Sequence, residues 1–184
     1  MRRVAVVGSS GASESALARA IAESISVTVV DLEALQHDPD QRIASTPEFR
    51  AKVMTSIADA EVDGSTGGWV AAGNHRTVSD IVQRRADTIV WIDLPRTVAA
   101  GRLVHRSLRR SLSRRRTQGG DPERFRDLFS RHADENVLLW SWQHHHRYAQ
   151  IYESYASGAF WSHATVHRLR TRRDLDSFVE RFDT

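Results

Sequence analysis

The sequence predicts an α/β fold, in which helices cover both faces of one buried parallel sheet. Two observations support this prediction. Short apolar runs rich in β-branched residues alternate along the chain with longer segments of helical periodicity. The first of these runs also meets a turn of glycine and serine, GSSGASES, which leads directly into a helix-forming stretch. Strands that alternate with helices are joined by right-handed crossovers, so neighbouring strands run parallel.

Five strands are predicted from the apolar runs. The fourth, within ADTIVWIDLP, is the clearest, because Asp93 and Pro95 close a continuous apolar segment. The predicted strands lie over 4–7, 27–32, 69–73, 86–95 and 164–169.

Helices are predicted between these strands. The first follows the glycine- and serine-rich turn over 14–23. Another begins with Thr46 as its N-cap and Pro47 at its first helical position. An arginine-rich helix follows the fourth strand, an amphipathic helix covers 135–155, and Thr171 caps a terminal helix.

The composition is that of an ordinary globular protein, and we expect one domain over residues 1–184. There is no cysteine, which excludes disulfides, thiolate metal sites and cysteine nucleophiles. No apolar run approaches the ~20 residues that span a bilayer, and the chain begins in a strand pattern rather than a leader. We therefore expect a cytoplasmic protein without membrane contact.

Arginine supplies nearly all of the positive charge, although the net charge is only +3. Residues 102–116, RLVHRSLRRSLSRRR, contain seven arginines. Guanidinium groups bind phosphate oxygens in a bidentate manner, so this segment suits either nucleic acid or the phosphates of a nucleotide beneath a closing lid. A solvated helix face is the third interpretation.

The eight residues that begin at Gly8 follow most of the P-loop pattern G-x-x-x-x-G-K-[ST]. Gly8 and Ser15 stand in register with the first glycine and the final hydroxyl residue. Ser13 replaces the second glycine, and Glu14 replaces the lysine that reaches the terminal phosphates of a bound nucleotide. The loop therefore keeps the backbone N–H groups that hold an anion at a helix N-terminus, but it carries the opposite charge at its lysine position.

The order of the motifs resembles one family. The loop is followed by DLEAL after the second strand, GN after the third, ADTIVWIDLP, an arginine-rich helix, GG and a basic helix with tryptophans. Over nearly the whole chain this is similar to the adenylate-kinase-like P-loop proteins of the topology modulation (FlaR-like) family, within the nucleoside monophosphate kinase group. The resemblance implies a three-layer sandwich with strand order 2-3-1-4-5, an arginine-rich helical lid over 102–135, and ATP or another nucleoside triphosphate as ligand.

The resemblance also implies roles for particular residues. In the loop, the phosphate cradle is assigned to Gly8, Ser9, Ser10, Gly11, Ala12, Ser13, Glu14 and Ser15. Ser15 stands where relatives hold Mg²⁺ through a hydroxyl group. Contacts with an acceptor substrate are assigned to Glu33, Gly73 and Asn74. Phosphate-contacting arginines that act in catalysis are expected at Arg76, Arg102, Arg106 and Arg109.

Two charged groups that relatives use are replaced in this chain. Relatives read GSSGSGKST at the loop and end the third strand with DGN, whereas Glu14 and Ala72 stand at the lysine and aspartate positions here. Glu33 replaces an aspartate, which is a milder change. A charge pair at ~4 Å is worth about 4 kcal/mol at an effective dielectric of ~20, so charge reversal at position 14 opposes triphosphate binding. If Mg²⁺ binds, Ser15 is the residue that we expect to contact it.

Three explanations account for these departures. In the first, Glu14 turns away, Arg19, Arg76 or an arginine of 102–116 replaces the lysine, and the γ-phosphoryl group of ATP or GTP passes to a small or nucleotide acceptor. In the second, which we favour, the fold persists as a binding or regulatory protein with impaired transfer. In the third, positions 14 and 72 were engineered. A different class of function, nucleic-acid binding, would use 102–116.

Two further groups of residues are expected to be structural. Trp140, Trp142, Tyr148 and Tyr152 have the spacing of helix-packing residues rather than of a platform for bases. Asp93 ends the fourth strand beside the site, where we expect no metal-binding or catalytic role for it.

Overall fold

The computed structural model describes residues 1–8, 14–37, 42–62, 67–98 and 137–181, with the backbone alone over 137–145. The strands are β1 (Arg3–Gly8), β2 (Thr28–Asp31), β3 (Trp69–Ala72), β4 (Thr88–Ile92) and β5 (Thr165–Leu169). The helices are α1 (Glu14–Ile25), α2 (Leu32–Gln36), α3 (Thr46–Val62), α4 (Ser79–Arg85), α5 (Val137–Ser157) and α6 (Arg172–Glu180). A short 3₁₀ turn, Arg76–Val78, precedes α4. None of these helices is both long and apolar enough to cross a membrane.

The five strands form one parallel sheet in the order β2-β3-β1-β4-β5. β1 lies at its centre, where Val6 pairs with Ala72 of β3 on one side and with Val90 of β4 on the other. Every pair of neighbouring strands is parallel. This is expected when each connection crosses a face of the sheet, from the carboxyl end of one strand to the amino end of the next. The predicted fold class and strand order are therefore confirmed.

Alternate residues of β1 belong to two separate hydrophobic cores. Val4 and Val6 belong to the core that α1 and α6 cover, whose helical members are Leu17, Ala18, Ile21, Ala22, Leu175 and Phe178. Ala5 and Val7 belong to the core on the other face, whose members from α3, α4 and α5 include Phe49, Val53, Ile57, Ile81, Val82 and Tyr152. Two helical layers therefore enclose the sheet, and both faces of its central strand are buried.

Asp31 ends β2 and starts α2. Its backbone is extended, with φ −84° and ψ 99°, and its carboxylate accepts hydrogen bonds from the backbone N–H groups of Glu33 at 3.1 Å and Ala34 at 3.2 Å. The first N–H groups of a helix lack partners within the helix, and an aspartate at the N-cap satisfies them. The strand predicted over 27–32 is therefore shorter than expected, since Leu32 already belongs to α2.

The predicted caps of two helices have different outcomes. Thr171 caps α6 as predicted, because its hydroxyl accepts a hydrogen bond from the Asp174 N–H and the Asp174 carboxylate accepts one from the Thr171 N–H. The prediction that Thr46 caps α3 is wrong, because the helix begins at Thr46 itself. The preceding Ser45 donates from both its N–H and its hydroxyl to the Glu48 carboxylate. The pattern thus placed the start of α3 within one residue.

A cluster of hydrogen bonds joins the amino ends of β1 and β4. Asp87 precedes β4, and its Oδ2 accepts from the backbone N–H groups of Arg2 and Arg3, both at 3.0 Å. Its Oδ1 accepts from the Thr88 hydroxyl at 2.7 Å. Partial burial raises the pKa of Asp87, but the hydrogen bonds from Thr88, Arg2 and Arg3 outweigh burial and hold the pKa below its usual value.

We predict that Asp87→Asn lowers stability at neutral pH and flattens the loss of stability in acid. A carboxyl group whose pKa is lower in the folded chain stabilises the fold above its unfolded pKa, and this contribution is lost as the pH falls through the folded value. Thermal unfolding at neutral pH should have a midpoint about 2–8 °C below that of the wild type. The difference should close as the pH is lowered towards about 2.

The control for this experiment is Asp59→Asn, which changes an exposed carboxylate on α3. It should follow the wild type across the whole pH range. Equal midpoints for Asp87→Asn and the wild type at neutral pH would contradict the stabilising role of the cluster.

Candidate functional site

The carboxyl ends of β1 and β3 lie side by side in the middle of one sheet edge. Because Val6 pairs with Ala72, the last residue of β3, the two strands end at nearly the same level of the sheet. Gly73 follows β3 with φ +134°, a conformation that glycine adopts without the strain that a side chain causes. This turn brings Asn74 against Gly8, whose N–H donates to Asn74 Oδ1 at 3.0 Å. Two residues that were predicted to bind different parts of a ligand therefore contact each other.

The Asn74 side chain makes four hydrogen bonds. Its Oδ1 accepts from the Gly8 N–H at 3.0 Å and from the Tyr152 hydroxyl at 2.9 Å. Its Nδ2 donates to the Gly8 carbonyl and, at 3.0 Å, to Oε1 of Glu14. An asparagine amide offers two lone pairs and two N–H donors, so these four bonds use its full capacity. Asn74 thus joins β1, α1 and α5 at one point.

Glu14 is buried at the start of α1, with 3% of its surface exposed. Its Oε1 lies so close to Gly8 that a Cβ atom on that residue would stand 2.7 Å from the oxygen. A carboxylate at a helix N-terminus is favoured by the helix dipole, and the Asn74 N–H offsets part of its desolvation. The Glu14 side chain therefore points toward Gly8 at the end of β1. The explanation in which an arginine replaces the P-loop lysine needs this side chain to turn away.

Two tyrosines of α5 and Arg76 stand around this carboxylate. Burial raises the pKa of Tyr152 well above its usual value, and the negative charge of Glu14 raises it further, while Arg76 acts in the opposite direction. Burial also raises the pKa of Tyr148, against the effects of Arg76 and Arg147. The Arg76 side chain itself is exposed. Both hydroxyl groups thus stay protonated, and a guanidinium lies within electrostatic reach of them.

The predicted acceptor residues lie around the turn after β3. Glu33 is exposed in the first turn of α2, and its Oε2 lies 3.4 Å from Nε2 of His75. The His75 ring packs edge-on against Phe49, with 5.1 Å between the ring centroids. A Cβ atom on Gly73 would stand 3.2 Å from the His75 ring, so the close turn keeps this imidazole in place. Glu33 and Gly73 are therefore brought together, with His75 between them.

Among the described residues at this edge, the side chains at positions 14 and 72 differ from those that the P-loop resemblance assigns to a Mg²⁺-bound triphosphate. Ser15 lies half-buried in the first turn of α1, as a Mg²⁺-side hydroxyl requires. However, a buried carboxylate, that of Glu14, stands at the position predicted for the lysine, and the buried methyl group of Ala72 stands at the position predicted for the aspartate. Over the described ranges, no three His, Asp or Glu side chains stand together as a metal site.

Several predicted site residues lie outside the part of the chain that the structure describes. They are Ser9, Ser10, Gly11, Ala12 and Ser13 of the loop and Arg102, Arg106 and Arg109 of the predicted lid. The nucleic-acid surface predicted for 102–116 also lies there, and the side chains of Trp140 and Trp142 are not described. Their predicted roles stay predictions.

Asp93 takes part in an ion-pair cluster at the carboxyl ends of β4 and β5. Arg168 donates to the Asp93 carboxylate at 2.7 Å and to Glu153 of α5 at 2.6 Å. Its guanidinium also stacks 3.9 Å from the centre of the Trp91 ring. These contacts tie α5 to the sheet, so the geometry gives Asp93 a structural partner.

Tyr152 is the residue whose contact with the site the sequence did not reveal. Its predicted packing role is correct, since the ring is 3% exposed and stacks on Trp161 at 5.6 Å. Its hydroxyl, however, reaches Asn74, 78 positions earlier in the chain. The available signal was a tyrosine, rather than a phenylalanine, on the buried face of a helix, because a buried phenol needs a partner for its O–H group.

The strand order of the sheet and its flanking helices match the α/β fold of P-loop kinases. The fold is similar to that of an unliganded sugar kinase from Janibacter sp. HTCC2649, with a TM-score of 0.51 and 20% sequence identity over 98% of this chain and 91% of that chain. It is also similar to a gluconokinase from Sinorhizobium meliloti 1021, with a TM-score of 0.52 and 16% identity over 98% of this chain and 89% of that chain. These likenesses concern the fold alone. No family model and none of the curated proteins matches the chain.

We predict that Asn74→Ala lowers the free energy of unfolding by about 2–4 kcal/mol, because Gly8, Glu14 and Tyr152 each lose a hydrogen-bond partner. Urea denaturation measures the change. Gln150→Ala, which removes an exposed amide of α5, is the control and should stay within about 0.5 kcal/mol of the wild type. A loss in Asn74→Ala no larger than in this control would contradict the central role of Asn74.

Proposed function

We propose that this chain is a P-loop kinase-like protein that binds a nucleotide or another phosphate-bearing small molecule, and in which transfer of the γ-phosphoryl group from Mg·ATP is impaired. The observation that carries the proposal is the buried carboxylate of Glu14, which Asn74 holds beside Gly8. In this form the protein is a binding or regulatory relative of kinases rather than an efficient phosphotransferase.

Electrostatics is the reason for the impaired transfer. A P-loop lysine attracts the terminal phosphates, whereas a carboxylate at the same position repels them. One charge pair at ~4 Å is worth about 4 kcal/mol at an effective dielectric of ~20. The hydrogen bond from Asn74 holds this charge beside Gly8, so the repulsion grows with each phosphate that a ligand adds.

Other features favour the binding of a less charged phosphate. α1 begins directly after the glycine- and serine-rich sequence of residues 9–13, and backbone N–H groups at such a helix N-terminus bind anions. Arg76 provides a guanidinium within reach of Tyr148, on the side of the site that α5 covers. A monophosphate would use both groups while it places the least charge against Glu14.

The test is calorimetric titration with AMP, ADP and ATP, each with and without Mg²⁺, on the wild type and on Glu14→Gln. In the wild type, affinity should fall from AMP to ADP to ATP. Glutamine keeps an oxygen for the Asn74 N–H but removes the charge. The variant should therefore bind ATP about tenfold or more tightly than the wild type, while its affinity for AMP changes less.

The matched control is Glu23→Gln, which removes an exposed charge from the same helix. It should leave the order of affinities unchanged. Two results would sink the proposal: tight Mg·ATP binding with phosphoryl transfer by the wild type, or no binding of any of the three nucleotides by either protein.

A further inference from the structure

We propose that Tyr152 is a positioning residue that, together with Gly8, fixes the amide of Asn74 so that the place beside Gly8 matches an oxygen acceptor and disfavours an ammonium group. Carboxylate and phosphate oxygens belong to the class that this place would take, and Glu14 is its built-in occupant. The inference concerns side chains of the chain itself and does not rest on the proposed nucleotide binding.

The contacts of the Asn74 amide fix which end carries the oxygen. Two donors, the Gly8 N–H and the Tyr152 O–H, point at Oδ1 of Asn74. Because both lone pairs of that oxygen are used, the NH₂ end faces the Gly8 carbonyl and Glu14. Rotation of the amide by half a turn would set NH₂ against the Gly8 N–H and Oδ1 against two other oxygens. The contacts of the amide thus select one orientation.

The packing of its ring holds the Tyr152 hydroxyl in place. The ring is buried, stacks on Trp161 at 5.6 Å and meets Trp91 edge-on at 6.0 Å. Its phenol stays protonated because burial and the charge of Glu14 both raise its pKa. A packed ring of this kind holds its O–H group as a fixed donor rather than as a mobile one.

Asn74 contacts the side chains at both positions 14 and 152. An oxygen at position 14 accepts from the fixed Asn74 N–H, whereas a lysine ammonium there would place donor against donor. Hydrogen bonds in a chain also strengthen one another, so loss of the Tyr152 hydroxyl weakens the bond between Asn74 and Glu14. The two positions are therefore coupled through Asn74.

A double-mutant cycle of Glu14→Met and Tyr152→Phe measures this coupling by thermal unfolding. Tyr152→Phe keeps the packed ring and should lower the midpoint by about 2–4 °C. The double variant should lose at least about 2 °C less than the sum of the single losses. The same cycle in an Asn74→Leu chain should be additive, because the connecting amide is gone. Tyr155→Phe, a change to a neighbouring ring of α5, should be additive with Glu14→Met in either chain.

Additive losses in the chain that keeps Asn74 would overturn the inference, as would equal coupling in the Asn74→Leu chain. If Asn74→Leu does not fold, a polarity swap replaces that arm. Asn74→Asp removes the donor, and Glu14→Lys supplies a new one, so the combined variant should unfold at a higher temperature than Asn74→Asp alone. A lower or equal temperature would overturn the inference. A negative result in these cycles does not bear on the proposed nucleotide binding. A negative result in the nucleotide titrations does not bear on the role of Tyr152.

Discussion

The hydrogen bonds of one side-chain amide organise the whole candidate site. Asn74 holds the end of β1 through both backbone groups of Gly8, holds the start of α1 through Glu14, and is held in turn by Tyr152 of α5. A buried polar network of this kind is favourable only when its members are satisfied. Among the residues that the structure describes, no buried side-chain nitrogen or oxygen lacks a partner. The positions of Gly8 and Glu14 relative to each other therefore depend on contacts from across the sheet.

The carboxylate at position 14 is accommodated by its surroundings. Three features lower the free-energy cost of burying it: an N–H donor from Asn74, the N-terminal end of α1, and a glycine at position 8 that leaves room for the oxygen. In a P-loop the same close approach of glycine serves a phosphate. Here an oxygen of the protein's own chain occupies the space next to Gly8. The described surroundings of Glu14 thus accommodate an oxygen acceptor at position 14.

Much of the fold could be predicted because it depends on local pattern. Alternating strands and helices fixed the parallel sheet, and the resemblance supplied the strand order. The errors lie where side chains compete locally, as when Asp31 caps α2 and Leu32, which apolar periodicity had assigned to the second strand, becomes helical. Glu14 and Asn74 were assigned to the candidate site from the motifs and the resemblance, but their contact with each other was not predicted. The hydroxyl of Tyr152 escaped prediction because its partner is far away in sequence, and periodicity reports only the burial of its ring.

The spacing of the Asn74 partners also has a consequence for how the protein folds. Gly8 is 66 residues from Asn74, and Tyr152 is 78 residues from it. Contacts between such distant positions close long loops, which costs conformational entropy and slows folding. A chain in which α5 is not docked lacks the Tyr152 hydroxyl that donates to the Asn74 amide. The proposed ligand binding at this edge would therefore stabilise only the native state, in which these contacts are made.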